Sequence, residues 1–246
     1  MKSTLLASLA FLLALSPCPW TEAADPVGSP SVQAILDRYV EASGGRAALE
    51  KLKTRVSKGK VEVTTVGLSG GIEVKSKVPN KHLSSVDLAG FGAVREGFDG
   101  GVSWSDAPGV GLREKPAAEL ARDRRSKVFP RELKLREAYE RLEAKGTAKV
   151  DGADAWVIEG SVKGGKPDRL YFDKKTGLLV REESTVDSGL GDMSFQVDFL
   201  EYKDVDGVKV PHLIRIPKPE SMGFQIRFDE VRHNVEVAES EFSKPK

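Results

Sequence analysis

From residue 60 onward the chain alternates apolar and polar positions with few breaks. Val61, Val63 and Thr65 alternate with Lys60, Glu62 and Thr64, and Ile72, Val74, Ser76 and Val78 alternate with Glu73, Lys75 and Lys77. A period of two puts successive side chains on opposite faces of a strand, and the pattern predicts a hairpin with its turn at 67–71. The same alternation predicts strands at 81–89, 93–98, 102–105, 148–150, 155–162, 169–172, 178–186, 193–204, 208–216 and 223–235. Asp99-Gly100, Asp151-Gly152, Lys174-Lys175-Thr176-Gly177 and Asp206-Gly207 fall between these runs. Such pairs supply the positive φ that tight hairpins need, so neighbouring strands are expected to be antiparallel. Their spacing is irregular, which predicts a meander rather than a propeller or solenoid. The late strands each have one strongly apolar face. Phe195, Val197 and Phe199 share one parity, as do Phe224, Ile226 and Phe228, while Gln196, Asp198, Gln225, Arg227 and Asp229 take the other.

Two stretches depart from the alternation. In residues 29–52, Val32, Ile35, Leu36, Tyr39 and Val40 recur at helical spacing, opposite Gln33, Asp37, Arg38 and Glu41. Ser29 and Pro30 are read as its start and Gly44 and Gly45 as its stop, with a second short helical piece over 46–52. Burying those five apolar side chains contributes about 8–15 kcal/mol before entropy, so the sheet is expected to wrap this helix. Residues 116–142 mix Ala117, Leu120, Leu133, Leu135 and Leu142 with many charges around Phe129-Pro130, which predicts a short helical insert. Between Pro116 and Arg136 seven Lys or Arg face three Asp or Glu. That excess suits either a solvated face or a cover whose basic side meets an anionic headgroup or partner.

Composition narrows the class. The 246 residues are 39% hydrophobic and 30% charged, enough for a substantial core, and a net charge of +1 argues against a general nucleic-acid binder. Lys2, the apolar run from Leu5 to Leu15 and the small residues around Ala23 read as an export signal over 1–23, too short to span a bilayer. The expected location is therefore periplasmic. The alternative is a lipoprotein anchored through Cys18, the single cysteine, although Pro17 fits an acylation site poorly. With cleavage near Ala23 no disulfide can support the mature fold.

Candidate chemistry is sparse. Ser57-Lys58-Gly59-Lys60, Ser105-Asp106 and Lys175-Thr176-Gly177 follow the order of the serine β-lactamase motifs, but the first leads into a strand rather than opening a helix and the last is a hairpin turn. His82, His212 and His233 stand apart, with no ligand spacing around them. Asp168, Asp173, Asp187 and Asp192 could supply a carboxylate pair, yet Asp beside glycine is first a turn former. No phosphate loop, nucleophile elbow or dinucleotide fingerprint is present. Neither an enzyme nor a cofactor or metal is expected. Trp104 and Trp156, in strands, suit core packing or the lining of an apolar cavity.

Ile35-Leu36-Asp37-Arg38-Tyr39-Val40 leading into Gly44-Gly45-Arg46-Ala47-Ala48-Leu49, together with Gly97-Phe98-Asp99-Gly100, Tyr171-Phe172-Asp173, Thr176-Gly177-Leu178, Asp206-Gly207-Val208-Lys209-Val210-Pro211 and Phe242-Ser243-Lys244-Pro245, resembles bacterial exported proteins similar to the outer-membrane lipoprotein-sorting (LolA/LolB-like) family. The resemblance runs through nearly all of residues 24–246. It implies one mainly β (α+β) domain: a curved, incompletely closed antiparallel β-barrel wrapped around the N-terminal helix and covered by the insert at about 116–142. It also implies a binding or carrier protein for lipid or lipoprotein acyl chains. A non-catalytic envelope structural or stress-sensing interaction protein is the alternative. Its motifs are turns and core positions, so no functional residue carries over. The residues expected to line the cavity are Ile72, Val74, Trp104, Trp156, Phe195, Val197, Phe199, Phe224, Ile226 and Phe228. Arg122, Arg124 and Arg125 are the expected contacts for a headgroup or partner. The expected partners are lipid or an acylated protein, with other envelope proteins and a peripheral membrane surface as further options.

Overall fold

The computed structural model describes residues 30–162, 164–187, 192–217 and 223–246; the expected export signal and Cys18 lie outside them. Two antiparallel meanders make the sheet. The first comprises β1 (Thr54–Val63), β2 (Leu68–Lys77), β3 (Lys81–Leu88), β4 (Gly92–Phe98), β5 (Ser103–Ala107) and β6 (Gly111–Glu114). The second comprises β7 (Arg141–Val150), β8 (Ala153–Ser161), β9 (Asp168–Asp173), β10 (Leu179–Asp187), β11 (Asp192–Val205), β12 (Val208–Ile216) and β13 (Phe224–His233). Antiparallel pairing of β1 with β13, in register Val61 to Ile226 and Val63 to Phe224, joins them into one sheet. Its order is β6-β5-β4-β3-β2-β1-β13-β12-β11-β10-β9-β8-β7. The edges β6 and β7 do not pair, so the curved barrel stays open.

That topology fixes where the insert must lie. It leaves one edge strand, β6, and enters the other, β7, so it has to cross the open side of the sheet. It does so as α3 (Ala117–Ser126), α4 (Arg131–Lys134) and a 3-10 turn (Leu135–Ala138).

The N-terminal helix α1 (Val32–Ala42) buries Ile35, Leu36 and Tyr39 and leaves Gln33, Asp37, Arg38 and Glu41 exposed. Its cap is Ser31, whose hydroxyl accepts from the Ala34 amide, rather than Ser29 or Pro30. Gly44 and Gly45 end it at φ +123° and +81°. A Cβ on Gly44 would lie 2.2 Å from the Gly207 carbonyl oxygen, so the helix end seats directly on the β11–β12 hairpin. The short helix α2 (Arg46–Leu49) follows. The buried face of α1 packs with Ile158, Leu170, Phe172 and Leu179 from β8 to β10 and with Leu135 and Tyr139 from the insert. Phe172 meets Tyr39 edge-on at 5.3 Å between ring centroids.

The C-terminal segment, residues 234–246, crosses the outer face of the first meander. Val237 and Phe242 bury there against Val56, Lys77 Nζ donates to the Val237 carbonyl at 2.8 Å, and Glu239 and Glu241 pair with Lys77, Lys81 and Lys75.

Two local expectations are corrected, and one strand is new. The first hairpin turns at 64–67, and the remainder of the stretch read as its turn, including Gly70 and Gly71, already lies in β2. The strand read as 148–150 begins at Arg141. Strand β6, fully exposed, had no alternating signal to reveal it.

Candidate functional site

On the inner face, parity places Glu182 of β10, Val197 of β11, Ile216 of β12 and Phe224 of β13 in one row across the sheet. Phe199 and Ile214 form the next row, paired directly. Their side chains and that of Phe195 are only half-buried: α1 occupies the β8–β10 side, and of the apolar ones only Phe199 packs against its cluster. Between this apolar floor and the α3–α4 cover lies a cavity of about 610 Å³. That is within the roughly 300–1,000 Å³ typical of small-molecule sites.

Its roof is charged. Arg122, Arg125 and Lys127 come from α3 and its C-terminal end, and Arg131 from α4. Arg122 lies over the Phe195 ring at 5.8 Å and Arg131 over Phe199 at 5.9 Å, within reach of a cation–π interaction with the floor. Arg131 also donates to Glu182 at 2.5 Å. Burial works against its charge, but Glu182, Tyr139 and Tyr39 outweigh that and hold the guanidinium more firmly protonated than usual. Its buried Nε has no hydrogen-bond partner among the described residues.

Asp168 accepts from the Tyr139 hydroxyl at 3.1 Å and lies 3.6 Å from Arg125. Burial raises its pKa above the ordinary aspartate value despite Arg125, and burial together with Glu182 pushes the Tyr139 phenol up as well. At the far end, Lys115 binds Asp123 and Glu96, each at 3.1 Å, with the Lys115 and Asp123 side chains 3% and 4% exposed. Ser103 of β5 donates to the same Asp123 oxygen. Burial favours the neutral acid at Asp123, but Ser103, Lys127 and Lys115 together hold its pKa below the usual value. This cluster ties α3 to the first meander, while the Arg131–Glu182 pair ties α4 to the second.

The structure gathers Phe195, Val197, Phe199 and Phe224 around the cavity with Arg122 and Arg125. Arg124 is exposed and does not line it, because three residues of helix bring Arg122 and Arg125 onto one face and turn Arg124 away. Ile72, Val74, Ile226 and Phe228 belong to an adjoining packed cluster with Val61, Val63 and Leu88, against which Ile214 and Phe224 also pack from the edge of the cavity. Trp104 is on the other side of the sheet: 1% exposed, it stacks on Gly97 and donates its indole N–H to the Phe242 carbonyl at 2.9 Å under the C-terminal segment. Ser103, its neighbour, is the inward residue. Trp156 lines a separate groove beside α1 with Pro30, Ala34 and Arg38, and Lys174 lies over its ring at 4.0 Å.

Sequence reasoning missed Lys127, Arg131 and Glu182. The basic excess of the insert pointed to the first two without separating them from Lys134 and Arg136; Glu182, inward-facing among charged neighbours, gave no signal. Among the described residues no group of His, Cys, Asp and Glu is placed to hold a metal ion. His212 shares a 2.9 Å hydrogen bond with the Phe228 carbonyl, and the His233 ring nitrogen Nε2 accepts from Arg55 at 3.0 Å.

An open antiparallel half-barrel with a helix on part of its inner face and a helical cover over the rest is the fold of the LolA-like lipoprotein-sorting proteins. The chain is similar to a LolA superfamily protein from Nitrosomonas europaea, at 13% identity and TM-score 0.57 over 88% of this chain and 99% of that one. It is similar to a Vibrio parahaemolyticus domain named for outer membrane lipoprotein sorting, at 16% identity and TM-score 0.55 over 85% and 96%. A DUF1329 family protein from Desulfovibrio piger shares 18% identity and a TM-score of 0.58 over 89% and 98%. The fold expected from the sequence motifs is thus the fold observed. No protein-family model and no curated protein sequence matches the chain.

Proposed function

We propose that this is an exported, non-catalytic carrier that binds a lipid or a protein-linked acyl chain in the cavity between the α3–α4 cover and β10–β13. The observation that carries the reading is the half-filled inner face: Phe195, Val197, Phe199, Ile214, Ile216 and Phe224 line an unfilled space of about 610 Å³. Concave, mostly apolar clefts of this size with a few charged groups at the edge are where small ligands bind. Filling this one with hydrocarbon would contribute about 25 cal/mol per Å² of apolar surface removed from water. The similarity of fold to lipoprotein-sorting proteins agrees with that use. The cover fits it too: α3 buries only Asp123 and meets the sheet through polar side chains, while Phe129, Leu133 and Leu135 anchor the other end of the insert in the packed core.

Extraction with organic solvent of protein purified from the envelope is the test, followed by mass spectrometry of the extract. A carrier releases lipid in near-stoichiometric amount and takes up fatty acid after stripping. Protein that yields no lipid and binds none would leave an envelope interaction protein that uses the same scaffold without cargo.

A further inference from the structure

The cavity is lined by four acids and four bases, yet their pairing is uneven. Glu96 and Asp123 are taken by Lys115, Asp168 by Tyr139 and Arg125, and Glu182 by Arg131. Among the described residues Arg122 and Lys127 form no ion pair. Arg122 has only the Phe195 ring beneath it. Both line the same cavity, Arg122 from α3 and Lys127 from its C-terminal end. Burial holds the Lys127 ammonium below its ordinary pKa, against the pull of Asp123 and Glu96.

The floor is correspondingly narrow. Phe195 to Phe199 spans four residues of β11, about 13 Å, and β11 to β13 covers two strand spacings, about 10 Å. With a volume of about 610 Å³, the size of a site for one small ligand, the cavity suits a slender amphiphile better than a bundle of chains.

We infer that the ligand is a single-tailed amphiphile with one anionic head, a carboxylate or a phosphate, held by Arg122 and Lys127, its tail lying over Phe195, Val197, Phe199 and Phe224. This rests on the carrier reading above and narrows it. Charge-assisted bonds from a planar guanidinium suit either head, and the aromatic ring under Arg122 lets the head pass straight into the apolar lane.

The test titrates stripped, full-length protein with palmitate, with palmitoyl lysophosphatidate and with uncharged monopalmitoylglycerol, at low and high salt. The parent should bind the better of the two anions at least tenfold more tightly than the neutral ligand, and whichever anion leads identifies the head. Arg122→Gln/Lys127→Gln should lose that preference and its salt dependence while binding monopalmitoylglycerol as before, which also shows that the variant is folded. Arg124→Gln, an exposed change outside the cavity, should match the parent. Equal affinity of the parent for anionic and neutral ligands, or an anion preference that survives the double substitution, would overturn the head site and leave the apolar cavity standing. Failure of the parent to bind any of the three would overturn the carrier reading itself.

Discussion

On the β8–β10 side of the inner face, Ile35, Leu36 and Tyr39 of α1 meet Ile158, Leu170, Phe172 and Leu179, and all seven are buried. On the β11–β13 side the sheet presents an equally apolar surface, but the element above it, α3, has one buried residue, the charged Asp123. The same strand grammar therefore serves two purposes. Where a helix brings an apolar stripe, the space closes and the residues hold the fold; where it brings arginines, the space stays open. The difference lies in the helices, not in the sheet, and substitutions that treat the two sides alike should give unlike results.

The largest effect should come from the closed side. Phe172→Ala should cost about 3–5 kcal/mol in urea unfolding, since it removes the ring against Tyr39 and leaves a void that its neighbours cannot fill. A cost below about 1 kcal/mol would mean that this side is no better packed than the other. Lys115→Ala should approach that range, about 3–5 kcal/mol, because it leaves the Asp123 carboxylate buried without its cation. Unfolding midpoints with unchanged slopes would assign the loss to stability.

Phe195→Ala, on the open side, should cost less than about 2 kcal/mol in stripped protein, since a half-buried ring above a cavity has fewer contacts to lose, and Phe224→Ala, whose ring also packs against the Val61 and Ile72 cluster, should cost more than that but less than Phe172→Ala. Acyl-chain affinity should fall in both. At the helix end, Gly44→Ala should destabilise by at least about 1 kcal/mol, combining a left-handed φ with a clash against Gly207.

The smallest effects concern pH, and two aspartates should show opposite signs. The folded pKa of Asp123 is depressed from 3.8, so its contribution is present above that value and is lost as pH falls through the folded pKa. The deficit of Asp123→Asn relative to parent should therefore shrink on acidification. Asp168 is raised from the same value, so its effect is most favourable in acid and is lost as pH rises through the folded pKa. Asp168→Asn should gain on the parent over that rise. Stability measured from pH 3 to 7 in both variants checks the pair, and parallel profiles would contradict the burial assigned to Asp168.

Much of this contrast was readable from the residues. The stripe of α1, the Asp-Gly hairpins and the parity of Phe195, Val197 and Phe199 are local signals, and the meander follows from short turns between alternating runs. What was not readable is which element covers which face. Ser103-Trp104-Ser105 alternates as clearly as any strand, yet alternation cannot say whether the tryptophan faces the cavity or a cover on the outside. The cover is the C-terminal segment, 138 residues away at the Trp104–Phe242 contact. Asp198 likewise has the parity of an outward polar residue but is 1% exposed, held by Arg181 at 2.6 Å and Arg215 at 3.1 Å. The start of β7 gave no strand signal because Arg141, Glu143 and Lys145 are charged and pair along the strand as well as across it, Lys145 with Glu143 at 2.6 Å and with Glu159 at 3.4 Å.

The central claim is that the space under the cover is a ligand site and not a packing defect. Urea unfolding of stripped parent protein, with and without palmitate at about 100 times its dissociation constant, tests it most directly. Binding to the folded state alone should raise the unfolding free energy by about 2.7 kcal/mol, while Phe195→Ala at the same palmitate concentration should gain distinctly less. Superimposable unfolding curves with and without palmitate would contradict the account.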